Sequence, residues 1–282
     1  MTIEEAYNNF ISQLKTVYEE REAANIADWV FEYEGIKRLD RITNRRKALG
    51  NSAVEQFDKK LLELLQHKPA QYVLQEAWFY KMKFYVDENV LIPRPETEEL
   101  VEWVVCEVKM KNEKLKILDI GSGSGCIPIA IKKEVPGVEI ISVDISDNAL
   151  AVAKQNAELH KTDIEFIQLD FLNEDLWNSL LPFDIIVSNP PYIPENEKAK
   201  LAKNVTDYEP HLALFTEDED PFIFYKKITL FAKSHLNENG KIFVEVHENF
   251  AVEISKIFDA QNFKTEIRKD IYRRERMIKV IK

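Results

Sequence analysis

The sequence predicts an α/β protein: a doubly wound, mainly parallel sheet preceded by a small helical bundle. Three observations carry this expectation. In the first 68 residues, apolar side chains recur at three- and four-residue steps; an aromatic, β-branched stretch follows; beyond about Lys116, short apolar runs alternate with helical ones. Such alternation describes strands joined by crossover helices that cover both faces of a sheet.

The helical part opens with Ile3, Ala6, Tyr7, Phe10, Ile11, Leu14, Val17 and Tyr18 on one helix face. Thr2 and Glu5 have capping-box spacing, and Ser52 with Glu55 repeats it ahead of Phe57, Leu61, Leu62 and Leu65. Gly35 suits a helix stop near Tyr33, and Pro69 bars continuation past Lys68. About four helices are expected. Trp78, Phe79, Tyr80, Phe84, Tyr85 and Val86, with the polar Asp87-Glu88-Asn89, predict a hairpin. Strands follow at Lys116–Ile120, Glu139–Asp144, Ile164–Asp170, Phe183–Ser188 and Lys241–Val246. Helices are expected near Ser124–Glu134, Asp147–His160, Asp220–Leu236 and Asn249–Ala260. Lys264–Arg268 and Met277–Ile281, with no helix between them, predict an antiparallel pair at one side. The expected organisation is a helical recognition domain over 1–70, a β-hairpin linker over 71–92 and the α/β domain over 93–282.

Bulk properties exclude several classes. The apolar runs are too short to span a bilayer, and the acidic, amphipathic start does not read as a secretory signal. Two cysteines, Cys106 and Cys126, make no disulfide framework and have no metal-ligand spacing; this points to a reducing cytoplasm. The five histidines are scattered, so no metal site is expected. A net charge of −11 argues against a large phosphate-binding surface and hence against a direct nucleic-acid substrate. One local basic cluster exists: Lys37, Arg38, Arg41, Arg45, Arg46 and Lys47, with a single intervening acid, Asp40. It reads as a solvated helix face or as a docking site for an acidic or RNA-associated partner.

Of the seven glycines, three fall in Gly121-Ser122-Gly123-Ser124-Gly125, between an apolar strand and an apolar helix. There the backbone can turn tightly and lie against a ligand where a Cβ would clash. In open α/β sheets this loop receives a nucleotide. Asp144 ends the next strand nineteen residues after Gly125, placed to accept ribose hydroxyls. A nicotinamide fingerprint fails, because its last glycine position holds Cys126 or Pro128. Asp119 lies directly under the loop, where it would repel a pyrophosphate but attract the α-ammonium of a methionine moiety; S-adenosylmethionine is therefore favoured over NAD. Asp170, closing the third strand, can accept the adenine amino group. Phe171 can cover the ring face or simply fill the core.

Asn189-Pro190-Pro191-Tyr192 follows the fourth strand and should lie beside the glycine loop at the carboxyl edge. An amide nitrogen is a poor nucleophile because its lone pair is delocalised. The Asn189 side-chain oxygen can accept one N–H and the Pro190 carbonyl the other, held by two locked φ angles. Acceptors set away from the amide plane favour a pyramidal nitrogen with its lone pair turned toward a sulfonium methyl, which is positioning catalysis. Tyr192 can wall the substrate and stabilise positive charge near sulfur, while Pro191 stiffens the substrate side. The same logic serves the exocyclic amine of adenine or cytosine, so the motif identifies a nitrogen type rather than one substrate.

Together these residues resemble the N(5)-glutamine methyltransferases of the PrmC/HemK family, which modify peptide chain release factors. The resemblance runs from about Lys68 to the end. It includes Gln71–Leu74, Leu91-Ile92-Pro93-Arg94-Pro95-Glu96-Thr97-Glu98, Asp119–Gly125, Asn189–Ile193, Tyr208–Leu214 and Asp220-Pro221 before Phe224-Tyr225. It implies a class I methyltransferase-type sheet, a helical domain that grips the release factor, and transfer to the glutamine of a Gly-Gly-Gln loop. By position it implies that Gly121 to Gly125, Asp144, Phe171 and Asn189 bind the cofactor and that Asn189 to Tyr192 hold the amide. Adenine or cytosine methylation in nucleic acid, and glutamine methylation of a ribosomal protein, are the competing readings. Arg94 and Glu96 stand either as ligand contacts or as parts of a proline-bounded turn, and Thr97 as a helix cap. Glu195, Glu197 and Lys198 read as a mobile solvated loop. Four places depart from the family pattern. Relatives often have glycine at Gln75, Lys81 and Arg273, and an acid followed by Ile-Gly where this chain has Glu245-Val246-His247.

Overall fold

A computed structural model of the chain describes residues 1–110, 114–216 and 220–282, which divide into two compact units. The first comprises Met1–Glu76 together with Ala202–Tyr208. Its helices are α1 (Ile3–Leu14), α2 (Glu20–Tyr33), α3 (Arg38–Thr43), α4 (Asn51–Leu65) and α5 (Ala70–Leu74). The Thr2 hydroxyl accepts from Glu5 N and the Glu5 carboxylate accepts from Thr2 N, closing the expected capping box. α2 stops at Tyr33 and the chain reverses through Gly35 at φ +81°. The second box does not form: α4 already begins at Asn51, with Gly50 at its cap, so Ser52 lies inside the first turn. Phe10, Leu14, Val30, Phe31, Phe57, Leu61 and Leu64 make the core, with Phe31 and Phe57 stacked at 4.2 Å. The Tyr208 hydroxyl donates to Gln66 O at 2.8 Å, tying the returning segment to this unit.

The helical unit thus runs to Glu76 and takes up a distant segment, where the sequence suggested a boundary near residue 70. The hairpin is also shorter than expected, β1 (Ala77–Phe79) with β2 (Met82–Phe84), and it belongs to the second unit. Its turn is Tyr80-Lys81, both at positive φ, the twist that a two-residue hairpin loop requires. Residues 87–90 form a separate turn, closed by Val90 N on Asp87 O.

The second unit continues with α6 (Pro95–Met110), β3 (Lys116–Ile120), α7 (Cys126–Glu134), β4 (Glu139–Asp144), α8 (Asp147–His160), β5 (Glu165–Gln168), β6 (Phe183–Ser188) and β7 (Ile193–Pro194). After α9 (Lys203–Thr206), which belongs to the first unit, come α10 (His211–Leu214), β8 (Phe215–Thr216), α11 (Ile223–His235), β9 (Leu236–Glu245), α12 (Ala251–Asp259), β10 (Lys264–Lys269) and β11 (Glu275–Ile281). Seven strands form one sheet in the order β10-β11-β9-β6-β3-β4-β5. Pairs from β9 to β5 are parallel, and β11 runs antiparallel to both its neighbours. Alternate residues serve opposite faces: Ile186, Ile242, Val244 and Ile278 join one core, and Ile185, Val187, Phe243 and Met277 the other. Strand succession reverses between β3 and β6, which opens a crevice at their carboxyl ends. Among the described residues, no helix is long and apolar enough to cross a membrane.

Gln75, Lys81 and Arg273 all have φ between +53° and +65°. Left-handed backbone strains a residue with a Cβ. That strain is the physical reason a glycine would suit these positions, as the resemblance implies.

Candidate active site

The crevice holds a cavity of about 240 Å³, lined by Gly121 to Ser124, Asp144, Asp170, Phe171, Asn189, Pro191 and Thr97 among others. All of them lie within the second unit. Parallel pairing of β3 with β6 aligns Ile120 with Ser188, so the glycine turn and Asn189 leave adjacent strands at the same level. A Cβ added at Gly121 would stand 4.0 Å from the Asn189 backbone oxygen. The two sequence motifs therefore share one edge of the sheet, side by side.

The turn rests on a buried polar stack. Gly121 and Ser122 both donate backbone N–H to Val143 O. Ser122 Oγ lies 2.6 Å from Ser142 Oγ, which donates to Asp119 Oδ2 at 2.6 Å. Asp119 is 0% exposed, and its Oδ1 has no hydrogen-bond partner among the described residues. Burial, reinforced by the nearby Asp144 charge and opposed by the Ser142 bond, pushes its carboxyl up to about 8. Asp119 lies beneath the turn, where the sequence reading placed it, but it does not line the cavity. Gly125 is likewise off the wall. At φ +77° it starts α7, pressed against Ile129 and Ala153.

Asp144 lines the cavity with both oxygens oriented: Oδ2 accepts from Gly123 N at 2.9 Å and Oδ1 from Ser146 N at 3.0 Å. Each carboxylate oxygen retains a lone pair for a further donor. Burial raises this carboxyl too. β5 ends at Gln168, so Asp170 stands beyond the strand, its Oδ1 accepting from Leu172 N. Phe171 belongs to the core and also lines the cavity. It is 4% exposed and packed on Trp177 and Phe231, yet it forms part of the wall.

On the β6 side, Asn189 and Pro191 line the cavity, whereas Pro190 and Tyr192 do not. Asn189 Nδ2 donates to Thr97 Oγ1 at 3.1 Å, Thr97 Oγ1 to Glu245 Oε2 at 2.6 Å, and the Tyr192 hydroxyl to Glu245 Oε1 at 3.2 Å. Burial and the Glu245 charge push the Tyr192 phenol well above its ordinary value, so it stays a donor. Arg94 reaches back to Glu209, Nη2 to Oε1 at 2.6 Å, and Glu209 Oε2 also accepts from Ile92 N. This bond pins the proline-bounded leader against the wall. The segment expected as a mobile loop is a 3-10 turn, Glu195–Lys200, with Lys198 on Glu195 and Lys200 on Glu197.

Sequence reasoning missed Ser142 and the Thr97–Glu245 pair. A serine mid-strand is an ordinary residue, and although Thr97 and Glu245 fall in segments the family resemblance named, nothing local pairs them.

A family model described as methyltransferase small domain matches residues 103–208, a span that contains both the glycine turn and the Asn-Pro-Pro-Tyr corner. A release factor glutamine methyltransferase of Flavobacterium psychrophilum is 44% identical over 284 residues, 99% of each chain. One from Lactococcus lactis is 40% identical over 249 residues, covering 87% of this chain and 89% of its own. The crystal structure of a methyltransferase from Pyrococcus furiosus superposes with a TM-score of 0.51 at 14% identity, covering 72% of this chain and 89% of that one. That likeness speaks for the fold alone.

Proposed function

The chain belongs to the release factor glutamine methyltransferase family, and from that premise we propose that it methylates the side-chain amide of the glutamine in the Gly-Gly-Gln motif of peptide chain release factors. It is an S-adenosylmethionine-dependent protein-glutamine N-methyltransferase with the class I methyltransferase fold.

The residues present suit the cofactor. A fully buried carboxyl oxygen on Asp119 without a partner among the described residues, beneath the turn, and the two oriented oxygens of Asp144 on the cavity wall suit a ligand with an ammonium at one end and ribose hydroxyls beyond it. The backbone from Gly121 to Ser124 would cradle that end, Asp144 would accept the ribose hydroxyls, and Asp170 with Phe171 would flank the adenine. When bound, the cofactor supplies an electrophilic sulfonium methyl.

The chain's own work is done at the corner after β6. Asn189 Oδ1, on the cavity wall, accepts one N–H of the substrate amide and helps turn its lone pair out of the amide plane, with the Pro190 carbonyl, off that wall, as the expected second acceptor. The nitrogen becomes acidic only after it gains the methyl, so no strong base need be held nearby. One observation carries the proposal: Asn189 and the glycine turn occupy adjacent, level strand ends around one cavity. The acidity of the chain, −11 overall, supports a protein rather than a nucleic-acid acceptor. Two free thiols, Cys106 exposed and Cys126 buried, support a cytoplasmic setting.

The test is parallel labelling of an unmodified release factor, a ribosomal protein and DNA with methyl-labelled cofactor. Transfer to the release factor is expected, and transfer to DNA alone would remove the glutamine claim. Asn189→Ala should lose most turnover while still binding cofactor.

A further inference from the structure

We propose that Thr97 and Glu245 are positioning residues for methyl transfer: a buried relay, Glu245–Thr97–Asn189, fixes which end of the Asn189 amide faces the acceptor nitrogen. The inference rests on the glutamine-amide reading above.

Proton counting decides the orientation. A threonine hydroxyl has one proton and two lone pairs. Thr97 Oγ1 lies 2.6 Å from Glu245 Oε2, the length of a charge-assisted O–H···O⁻ bond. With its proton committed there, Thr97 can only accept from its other neighbour, Asn189, at 3.1 Å. Asn189 must therefore turn its NH2 toward Thr97, and Oδ1 is left as the acceptor for substrate. A flipped amide would set two oxygens against each other and point N–H donors at an incoming NH2. Neither arrangement can hold an amide nitrogen for attack.

Glu245 sets the polarity of the whole relay. It is 2% exposed, and its two oxygens accept from Thr97 on α6 and from Tyr192 after β6. Its backbone carbonyl accepts from the Tyr225 hydroxyl on α11 at 2.9 Å, which locks the end of β9 in place. An ionised carboxylate only accepts, so both hydroxyl protons point at it. A protonated Glu245 would donate to Thr97 instead, freeing the Thr97 proton for Asn189 and favouring the flipped amide.

The charged and titratable groups facing Glu245 are Glu96 on α6, Tyr192, Tyr225 and, from β11, Arg276. Burial pushes the Glu245 carboxyl above its ordinary value, against the Thr97 bond and the Arg276 charge. Activity should therefore fall as pH drops through that raised pKa.

The test uses the full chain with S-adenosylmethionine and whichever acceptor of the labelling panel the wild-type chain modifies. Failure of the substrate reading is thereby read separately, from the wild-type chain alone. Thr97→Val should lower kcat by about 10²-fold, the scale of a misplaced reacting group, while KM for the acceptor and the cofactor Kd by calorimetry stay near wild type. Thr97→Ser, which keeps the hydroxyl, should restore most of the rate. Glu245→Gln cannot accept from both hydroxyls and cannot ionise, so it should be slow and should lack the acid limb of the kcat–pH profile. The proposal is overturned by wild-type kcat in Thr97→Val, by a loss that Thr97→Ser fails to repair, or by a loss matched in cofactor affinity. Should Thr97→Val not fold, Glu245→Gln decides alone: an unchanged acid limb overturns the relay.

Discussion

Two glycines of the same turn should fail in opposite ways when replaced by alanine. At Gly125, an added Cβ meets Ile129 Cδ1 at 3.1 Å and both Ala153 Cα and Cβ at 3.2 Å. Ala153 lies within α8, and neither of its atoms can rotate aside. At Gly123, the added Cβ meets nothing within 4 Å, but the residue forms part of the cavity wall. Both carry positive φ, +77° and +49°. Left-handed backbone costs an alanine about 1–2 kcal/mol, of which about 0.4–1 kcal/mol is returned by the stiffer unfolded chain. Gly125→Ala adds overpacking of roughly 1–3 kcal/mol, so its total is about 3 kcal/mol against about 1 kcal/mol for Gly123→Ala. Urea unfolding of the cofactor-free chain, followed by circular dichroism, measures the first quantity. Calorimetric titration with S-adenosylmethionine measures the second. Gly125→Ala should lose stability foremost; Gly123→Ala should stay nearly as stable and lose most of its cofactor affinity, because its methyl stands in ligand space. Equal destabilisation by the two, or intact cofactor binding by Gly123→Ala, would refute the assignment of these glycines.

Three other outcomes can be checked with the same protein. Burial pushes Asp119 from its ordinary 3.8 to about 8, so the folded chain holds that proton more tightly than the unfolded one; the associated stability is complete below 3.8 and lost as pH rises through about 8. Asp119→Asn cannot ionise, and its Tm should not share that decline between pH 5 and 9; parallel curves for the two chains would argue against it. Gln75→Gly, Lys81→Gly and Arg273→Gly each relieve a left-handed residue and should raise stability by up to about 1 kcal/mol; a drop in urea midpoint for all three would contradict the strain account. Finally, exposed Cys106 should alkylate in the native chain while Cys126, buried with its thiol pushed up to about 12, reacts only on unfolding. Mass spectrometry after iodoacetamide shows whether one site or two are modified.

The parts legible in the sequence were those written locally. The Thr2–Glu5 cap, the helix stop before Gly35, most sheet strands and the antiparallel end of the sheet all follow from periodicity, capping chemistry and turn residues. The same local rule misled at Ser52 and Glu55, where the helix starts one residue before the supposed cap and leaves the spacing without a use. It also misplaced the hairpin turn. Asp87-Glu88-Asn89 has turn composition, but Tyr80 and Lys81 take the strained positive φ that the paired strands demand. Composition thus pointed to one place and pairing geometry chose another.

What the sequence determined alone was the chemistry: a glycine turn bracketed by acids and an asparagine–proline corner name a sulfonium cofactor and a planar nitrogen. Tertiary structure alone decided how that chemistry is held. Thr97 and Glu245 stand 148 positions apart and meet only because β9 lies beside β6 and α6 packs on the sheet. Whether Asp119, beneath the turn, also reaches the cavity wall was equally beyond local reading. Burial and hydrogen-bond partnership are properties of position in space, and a residue's immediate neighbours in the chain do not encode them.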